Sequence, residues 1–266
     1  MPLIPVAMLD NPRLGPYRNV KDRELARQGG LFLAEGHHLV MRLLASDFPT
    51  DSVLVDERKL RLIEASLRPD IPVYVAPPGL VDQVVGYPFH AGVIAVGRRK
   101  TEMSVDALMQ RLPGRALLVV CPDLRSTENL GSIIRTAAGF GADALIVGEQ
   151  SCDPFYRQCV RVSMGTIFSL PIIQSKNLLA DLASMRKRWN IELIATVLDS
   201  NAERLADAKP PERMALMLGS EDQGLTPEIV ALASRRVTLP MSWKTDSLNV
   251  AIAAGIFLYH FTKERM

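Results

Sequence analysis

The sequence is poor in residues that build covalent or metal frameworks. Its 266 residues include 3 cysteines and 4 histidines. Cys121, Cys152 and Cys159 form an odd set without a CxxC pair. That argues against a disulfide framework and a zinc site, and fits a reducing compartment. Long apolar runs are also missing. The longest, Val250 to Tyr259, is ten residues, too short to cross a bilayer, so no membrane is expected. The opening MPLIPVAMLDNPRLG has neither a basic stretch nor a long apolar core, so no secretory signal is read there and a cytoplasmic protein is expected. Charge asymmetry is lacking as well. The formal net charge is +2, and it splits evenly: residues 1–104 hold 13 basic and 12 acidic side chains, residues 105–266 hold 18 and 17. With no basic tail, any contact with nucleic acid must come from local patches. There is no internal repeat and no low-complexity segment. What remains is an ordinary globular composition, 48% hydrophobic and 23% charged, long enough for one large or two modest domains.

Apolar periodicity predicts an α/β chain in two parts. In residues 1–104, strands are expected at 31–34, 52–55, 73–76 and 92–96, with helices at 38–44 and 57–67 and another after Pro77-Pro78-Gly79. Residues 11–29 read as polar and basic on one helical face. Arg98-Arg99-Lys100-Thr101-Glu102 reads as a linker. In residues 105–266, strands are expected at 116–121, 144–147, 191–196, 214–218 and 236–239. Helices are expected at 130–140, 156–163, 178–188, 227–233 and 248–263. Such alternation implies a mostly parallel sheet covered on both faces, with ligands at the carboxyl ends of its strands.

Three polar, glycine-bearing motifs follow predicted strands. They are Asn129-Leu130-Gly131 with Arg135, then Leu218-Gly219-Ser220-Glu221-Asp222-Gln223-Gly224-Leu225, then Leu239-Pro240-Met241 with Asp246-Ser247-Leu248-Asn249-Val250. Each has a bland reading alone. Asn129 or Ser247 can be a helix N-cap, Arg135 a surface charge, and the glycines ordinary turn residues. Three such motifs at strand ends of one domain make the bland reading much weaker jointly. Gly139-Phe140-Gly141-Ala142-Asp143-Ala144 matches G-x-G-x-x-A, but it lies after a helix and before a strand. That is the wrong way round for a phosphate-cradling turn, and a dinucleotide-binding dehydrogenase is rejected on that ground.

Taken in order, NLGSIIRTAAGFGAD, LGSEDQGL and LPMSWKTDSLNVAIAAGIFLY resemble the signature motifs of the SpoU (TrmH-like) class of SPOUT RNA methyltransferases. The resemblance covers most of residues 116–260. GLFLAEGHHLVMRLL is similar to the small α/β substrate-binding domain of rRNA-modifying members. Ser163-Met164-Gly165-Thr166 is a softer match to a Ser-x-Gly segment. Trp243 departs from the pattern, since many members carry a glycine there.

The resemblance implies a C-terminal SPOUT domain (105–266) with a parallel sheet and a deep trefoil knot, preceded by an α/β RNA-binding domain (1–104). It implies S-adenosyl-L-methionine as cofactor, methyl transfer to a ribose 2′-hydroxyl, no metal, and a homodimer whose site is completed at the subunit interface. On these motifs the cofactor residues are Leu218, Gly219, Gly224, Leu239, Met241 and Leu248. Gly219 and Gly224 would let backbone approach the cofactor, and Met241 and Leu248 would form an apolar wall. The catalytic set is Arg135, Asn129, Glu221, Ser247 and Asn249. Arg135 would be either the general base or, because arginine stays protonated, a clamp on RNA phosphate and developing alkoxide. Glu221 would orient it by a salt bridge, and Asn129 would hold the loop or the ribose. Arg13, Arg18, Lys21, Arg23 and Arg27 are candidate phosphate contacts, with a solvated helix face as the alternative. Tyr17 and Phe32 are candidates to stack on a base, with core packing favoured for Phe32. The extra N-terminal domain favours rRNA over tRNA. A non-catalytic RNA-binding protein on the same fold is the remaining alternative.

Overall fold

Strands form where β-branched and leucine runs lie between glycine, proline and polar stretches. The computed structural model describes residues 3–18, 21–27, 29–112, 114–242 and 247–263. In chain order the elements begin with β1 (Leu3–Pro5), α1 (Asp22–Arg27), β2 (Leu31–Glu35), α2 (His37–Leu44), β3 (Thr50–Asp56), β4 (Val73–Ala76), α3 (Leu80–Val85) and β5 (Val93–Arg98). They continue with α4 (Val105–Gln110), β6 (Ala116–Cys121), α5 (Thr127–Gly139), β7 (Ala144–Val147), α6 (Arg157–Val162), β8 (Ile172–Gln174) and α7 (Leu178–Trp189). The chain ends with β9 (Glu192–Thr196), β10 (Glu203–Arg204), β11 (Arg213–Met217), α8 (Pro227–Leu232), β12 (Arg235–Thr238) and α9 (Val250–Thr262).

Contacts divide the chain into two units. One is Met1–Thr101 with Pro154–Ser169, and the other is Glu102–Asp153 with Leu170–Met266. This differs from a single cut at residue 104 in two ways: the boundary falls after Thr101, and one later segment changes unit. Pro154–Ser169, which carries α6 and the Ser163-Met164-Gly165 stretch, groups with the N-terminal residues. The reason is apolar and ionic. Phe155 and Phe168 stack around the buried Phe32 at centroid distances of 5.1 and 5.8 Å, and Arg157 pairs with Asp22 at 3.0 Å.

The N-terminal unit has a mixed five-stranded sheet in the order β1-β4-β3-β5-β2. β1, β4 and β3 run parallel, and β5 is antiparallel to both β3 and β2. Residues 57–67 are two short 3-10 turns, Glu57–Leu62 and Glu64–Ser66, not the expected helix. Neither turn buries a side chain, so no apolar stripe holds a longer helix there. Residues 11–29 hold a 3-10 turn, Pro12–Tyr17, and the short α1. Arg98 belongs to β5, so the strand continues into what reads as linker.

The C-terminal unit has a seven-stranded sheet, β10-β12-β9-β11-β6-β7-β8, parallel throughout. Both faces are buried. Ala116, Leu118 and Val120 of β6 join a core with α4, α7 and α8 residues such as Val105, Leu182 and Ile229. Leu117, Val119 and Cys121 are also fully buried and, by alternation, point to the opposite face. On α5 and α9, Ile133, Ile134, Phe257 and Phe261 are buried. α5 packs against α9, where a Cβ on Gly255 would lie 3.7 Å from Thr136 Cγ2. The short strands β1, β8 and β10 and helix α4 were not expected, being too short for a clear period. Helix starts differ by a few residues from the expected ones. Ser126 caps α5 through the Asn129 amide N, and Asn249 caps α9, so neither Asn129 nor Ser247 is an N-cap.

Candidate active site

The carboxyl ends of β9, β11 and β12 open onto a cavity of about 600 Å³, within the range that holds a small molecule. Three backbone segments line it: Thr196–Leu198 after β9, Gly219–Leu225 after β11, and Leu239 and Met241 after β12. Ser247, Leu248, Asn249, Val250, Ala253 and Phe257 close it from the start of α9.

The loop after β11 explains one glycine differently from the sequence reading. Ser220 and Gly224 pair as a small antiparallel bridge, with Ser220 N donating to Gly224 O at 2.9 Å and Gly224 N to Ser220 O at 3.2 Å. A Cβ on Gly219 would meet the Gly224 backbone at 2.6 Å. Gly219 is therefore needed so that the loop can fold back on itself. Gly224 has φ +69 and open space where a Cβ would stand, so its requirement is the left-handed backbone. Leu218 does not line the cavity. It is buried at 1% exposure, and its N–H donates to Val120 O at 2.9 Å, continuing the sheet.

At the mouth, the three motifs meet through one hydrogen-bond chain. Asn249 Oδ1 accepts from Ala251 N at 2.9 Å and Ile252 N at 3.3 Å, capping α9. Asn249 Nδ2 donates to Asn129 Oδ1 at 2.9 Å. Asn129 Nδ2 donates to Glu221 Oε1 at 2.8 Å, and Ser126 N reaches the same oxygen at 3.4 Å. Each amide is thus fixed with a donor on one side and an acceptor on the other.

The structure separates Arg135 from this cluster. It lies on the exposed face of α5, outside the cavity lining. The expected Glu221–Arg135 salt bridge does not form, because Glu221 faces Asn129 and Ser126 at the first turn of α5. Arg135 lies roughly 9 Å further along the axis at 1.5 Å per residue. Ser247 and Leu248 line the cavity and are exposed. Trp243 and Asp246 fall outside the described residues. Sequence reasoning missed Thr196–Leu198, Ala253 and Phe257. The residues of that segment that line the cavity beyond the strand, Val197 and Leu198, are apolar and no glycine accompanies them, so only the strand-end position hinted at it.

In the N-terminal unit the basic candidates divide. Arg13, Lys21 and Arg27 are exposed. Arg18 is instead tied to its own loop, donating to Leu9 O at 2.7 Å and Asn11 O at 3.0 Å. Arg23 donates to the Tyr156 hydroxyl at 3.2 Å. Tyr17 is not available for stacking. It is 1% exposed, its hydroxyl shares a 2.6 Å hydrogen bond with Ser52 Oγ, and burial pushes its pKa up. Phe32 is core. Ser163 is buried, and its Oγ donates to Val160 O at 2.7 Å, so it is spent on local structure.

A family model described as the SpoU rRNA Methylase family matches residues 116–259. The chain belongs to the SpoU rRNA methylase family. Membership makes it an S-adenosylmethionine-dependent RNA 2′-O-methyltransferase. The chain is 36% identical over 266 residues to an uncharacterized tRNA/rRNA methyltransferase of Mycobacterium tuberculosis (strain ATCC 25618 / H37Rv), covering 96% of this chain and 90% of that one. It is 31% identical over 214 residues to the 23S rRNA (guanosine-2′-O-)-methyltransferase RlmB of Acinetobacter baylyi, covering 79% of this chain and 86% of that one. Among solved structures, the SpoU methyltransferase AviRb of Streptomyces viridochromogenes in complex with AdoMet aligns at TM-score 0.81 and 26% identity, over 96% of this chain and 99% of that one. This SpoU methylase has a cavity suited to its cofactor. Its apolar walls (Leu198, Leu239, Leu248, Phe257) fit a stacked base, and the three strand-end backbones supply polar groups for an adenosine edge.

Proposed function

We propose that this enzyme methylates the 2′-hydroxyl of a nucleotide in ribosomal RNA, working as a cytoplasmic, metal-free homodimer. The observation that carries the reading is the Asn249–Asn129–Glu221 chain at the cavity mouth, because it joins all three motifs beside one small-molecule cavity. When bound, the cofactor supplies an electrophilic methyl on a sulfonium. Leu239, Met241 and the Gly219–Leu225 loop hold its nucleoside, and Leu248 and Phe257 exclude water around it. Asn129 and Asn249 act as positioning residues. Both side chains are committed within the chain, so they fix the loops, and Glu221 terminates the chain as its acceptor. Ser247 is exposed on the lining, which supports a contact with the ribose.

Arg135 is proposed to serve the cavity of a second subunit, as a guanidinium that clamps phosphate and stabilises developing alkoxide. A dimer surface is available beside it. Ile252, Ile256 and Tyr259 of α9 are 57%, 37% and 59% exposed. Their spacing of four and three places them on one face of the helix. α5, which carries Arg135, packs on α9. The trefoil knot belongs to the same reading, supported by the loops after β11 and β12 sharing one cavity with the start of α9. The cytoplasmic assignment is supported by three free cysteines. Among the described residues, no group of three or more His, Cys, Asp or Glu is placed to hold a metal ion.

Arg13, Lys21 and Arg27 remain as phosphate-contact candidates of the N-terminal unit. The deciding experiment incubates pure protein with labelled S-adenosylmethionine and separated rRNA and tRNA pools, then maps the modified ribose. Label in the rRNA pool supports the reading, and label confined to tRNA overturns the substrate assignment.

A further inference from the structure

The carboxyl edge of the C-terminal unit, where RNA must arrive, is acidic. Asp123, Glu128, Glu221 and Asp222 all lie on it, and the last three are exposed. An RNA strand would meet carboxylates there unless a cation stands among them. One does. Arg125 sits in the loop between β6 and α5, immediately before Ser126, whose backbone N–H points at Glu221. Its side chain is 75% exposed. It is held by Asp123, through Nε to Oδ1 at 3.2 Å and Nη2 to Oδ2 at 3.3 Å. Asp222 and Glu221 are its other charged neighbours.

This arrangement is that of a guanidinium parked on a weak partner. An exposed pair two residues apart, at the long end of hydrogen-bond distance, contributes little to stability. The same planar fork matches two phosphate oxygens better than it matches Asp123 here. We propose that Arg125 leaves Asp123 on RNA binding and grips a backbone phosphate next to the nucleotide being methylated, so that it positions the substrate strand over the cavity. None of the three sequence motifs contains it. The inference rests on the reading of the cavity as an RNA-methylation site. It adds a substrate contact within the C-terminal unit to those proposed for the N-terminal one.

The test is the salt dependence of binding, measured by filter retention of in vitro transcribed, unmodified rRNA on the full-length protein. Arg125→Ala is expected to lower the slope of log K against log salt by about one. It should weaken binding on the order of 5- to 10-fold at 0.1 M salt, the size of one phosphate contact. The loss should appear in KM for RNA, while S-adenosylmethionine affinity by calorimetry stays at the wild-type value. Arg125→Lys should keep the slope, because the charge remains. Asp123→Asn should keep the slope and tighten RNA binding, because the competing partner is gone. A wild-type slope in Arg125→Ala overturns the proposal. Loss of cofactor affinity in that variant also overturns it, since Arg125 would then be a brace of the loop. Binding is read apart from turnover. A wild-type protein that binds rRNA without methylating it would sink the functional reading, while the slopes still decide Arg125.

Discussion

Asn249 Nδ2 donates to Asn129 Oδ1 across 2.9 Å, joining residues 120 positions apart. The bond has a direction. Asn249 uses its oxygen to cap α9, and Asn129 uses its amide nitrogen on Glu221. Reversing either amide would set oxygen against oxygen at one end of the chain.

That polarity separates two substitutions. Asn249→Ala should lose a helix cap, lowering stability by about 1 kcal/mol, and should weaken cofactor binding as the loops part. Asn249→Asp keeps a capping oxygen but loses the donor to Asn129. It should melt near the wild-type temperature while binding S-adenosylmethionine more weakly. Thermal melts paired with calorimetry check this, and equal cofactor affinity in the Asp variant would refute the positioning role.

The two glycines of the second motif should respond unequally. Gly219→Ala drives a Cβ to 2.6 Å from the Gly224 backbone. The loop must then move, and cofactor affinity should fall at least tenfold. Gly224→Ala meets open space, and its φ of +69 costs about 1–2 kcal/mol in the left-handed region. Calorimetric Kd values should place Gly219→Ala well above Gly224→Ala, and the reverse order would show that backbone strain, not closure, governs the loop.

Arg135→Ala should keep cofactor binding and lose turnover by about 10²- to 10³-fold, the loss typical of one charge-stabilising donor. If Arg135 serves the partner's cavity, mixing Arg135→Ala protein with Gly219→Val protein should restore activity that neither has alone. Exchange of subunits without any recovery would place Arg135 and the cavity it serves in one chain.

Tyr87 reports on the N-terminal unit. Its hydroxyl donates to Glu35 Oε1 at 2.8 Å, and burial, with the Glu35 charge next, raises its pKa to about 12. The folded state therefore favours the protonated phenol. The stability this gives is fully present below about pH 10, the ordinary tyrosine range. It is lost as pH rises towards about 12. Melting curves from pH 8 to 11 should show wild type falling more steeply than Tyr87→Phe, and parallel curves would contradict the assignment.

Much of the fold was legible in the sequence for a simple reason. Parallel strands buried on both faces are continuous apolar runs, and 116–121 and 144–147 are read directly as β6 and β7. Helices with a strong apolar stripe, such as α7, were legible too. The region 57–67 failed because its leucines and isoleucine do not share a buried helical face. The placement of 154–169 failed because grouping follows side-chain partners. Phe155 and Arg157 find theirs far back in the chain, at Phe32 and Asp22.

By itself the sequence determined the α/β alternation, the strand-end position of the three motifs and the chemical class those motifs belong to. All are local properties, set by backbone preference and by which residue types stand together. Only the tertiary structure decided how the site is wired. It showed that Gly219 closes the loop that lines the cavity, buried the Leu218 side chain beside the sheet, linked Glu221 to Asn129 in place of Arg135, and withdrew Arg18 and Tyr17 from the RNA-facing candidates. Each of these depends on which distant group comes within about 3 Å of a polar atom, and spacing along a chain carries no information about that distance.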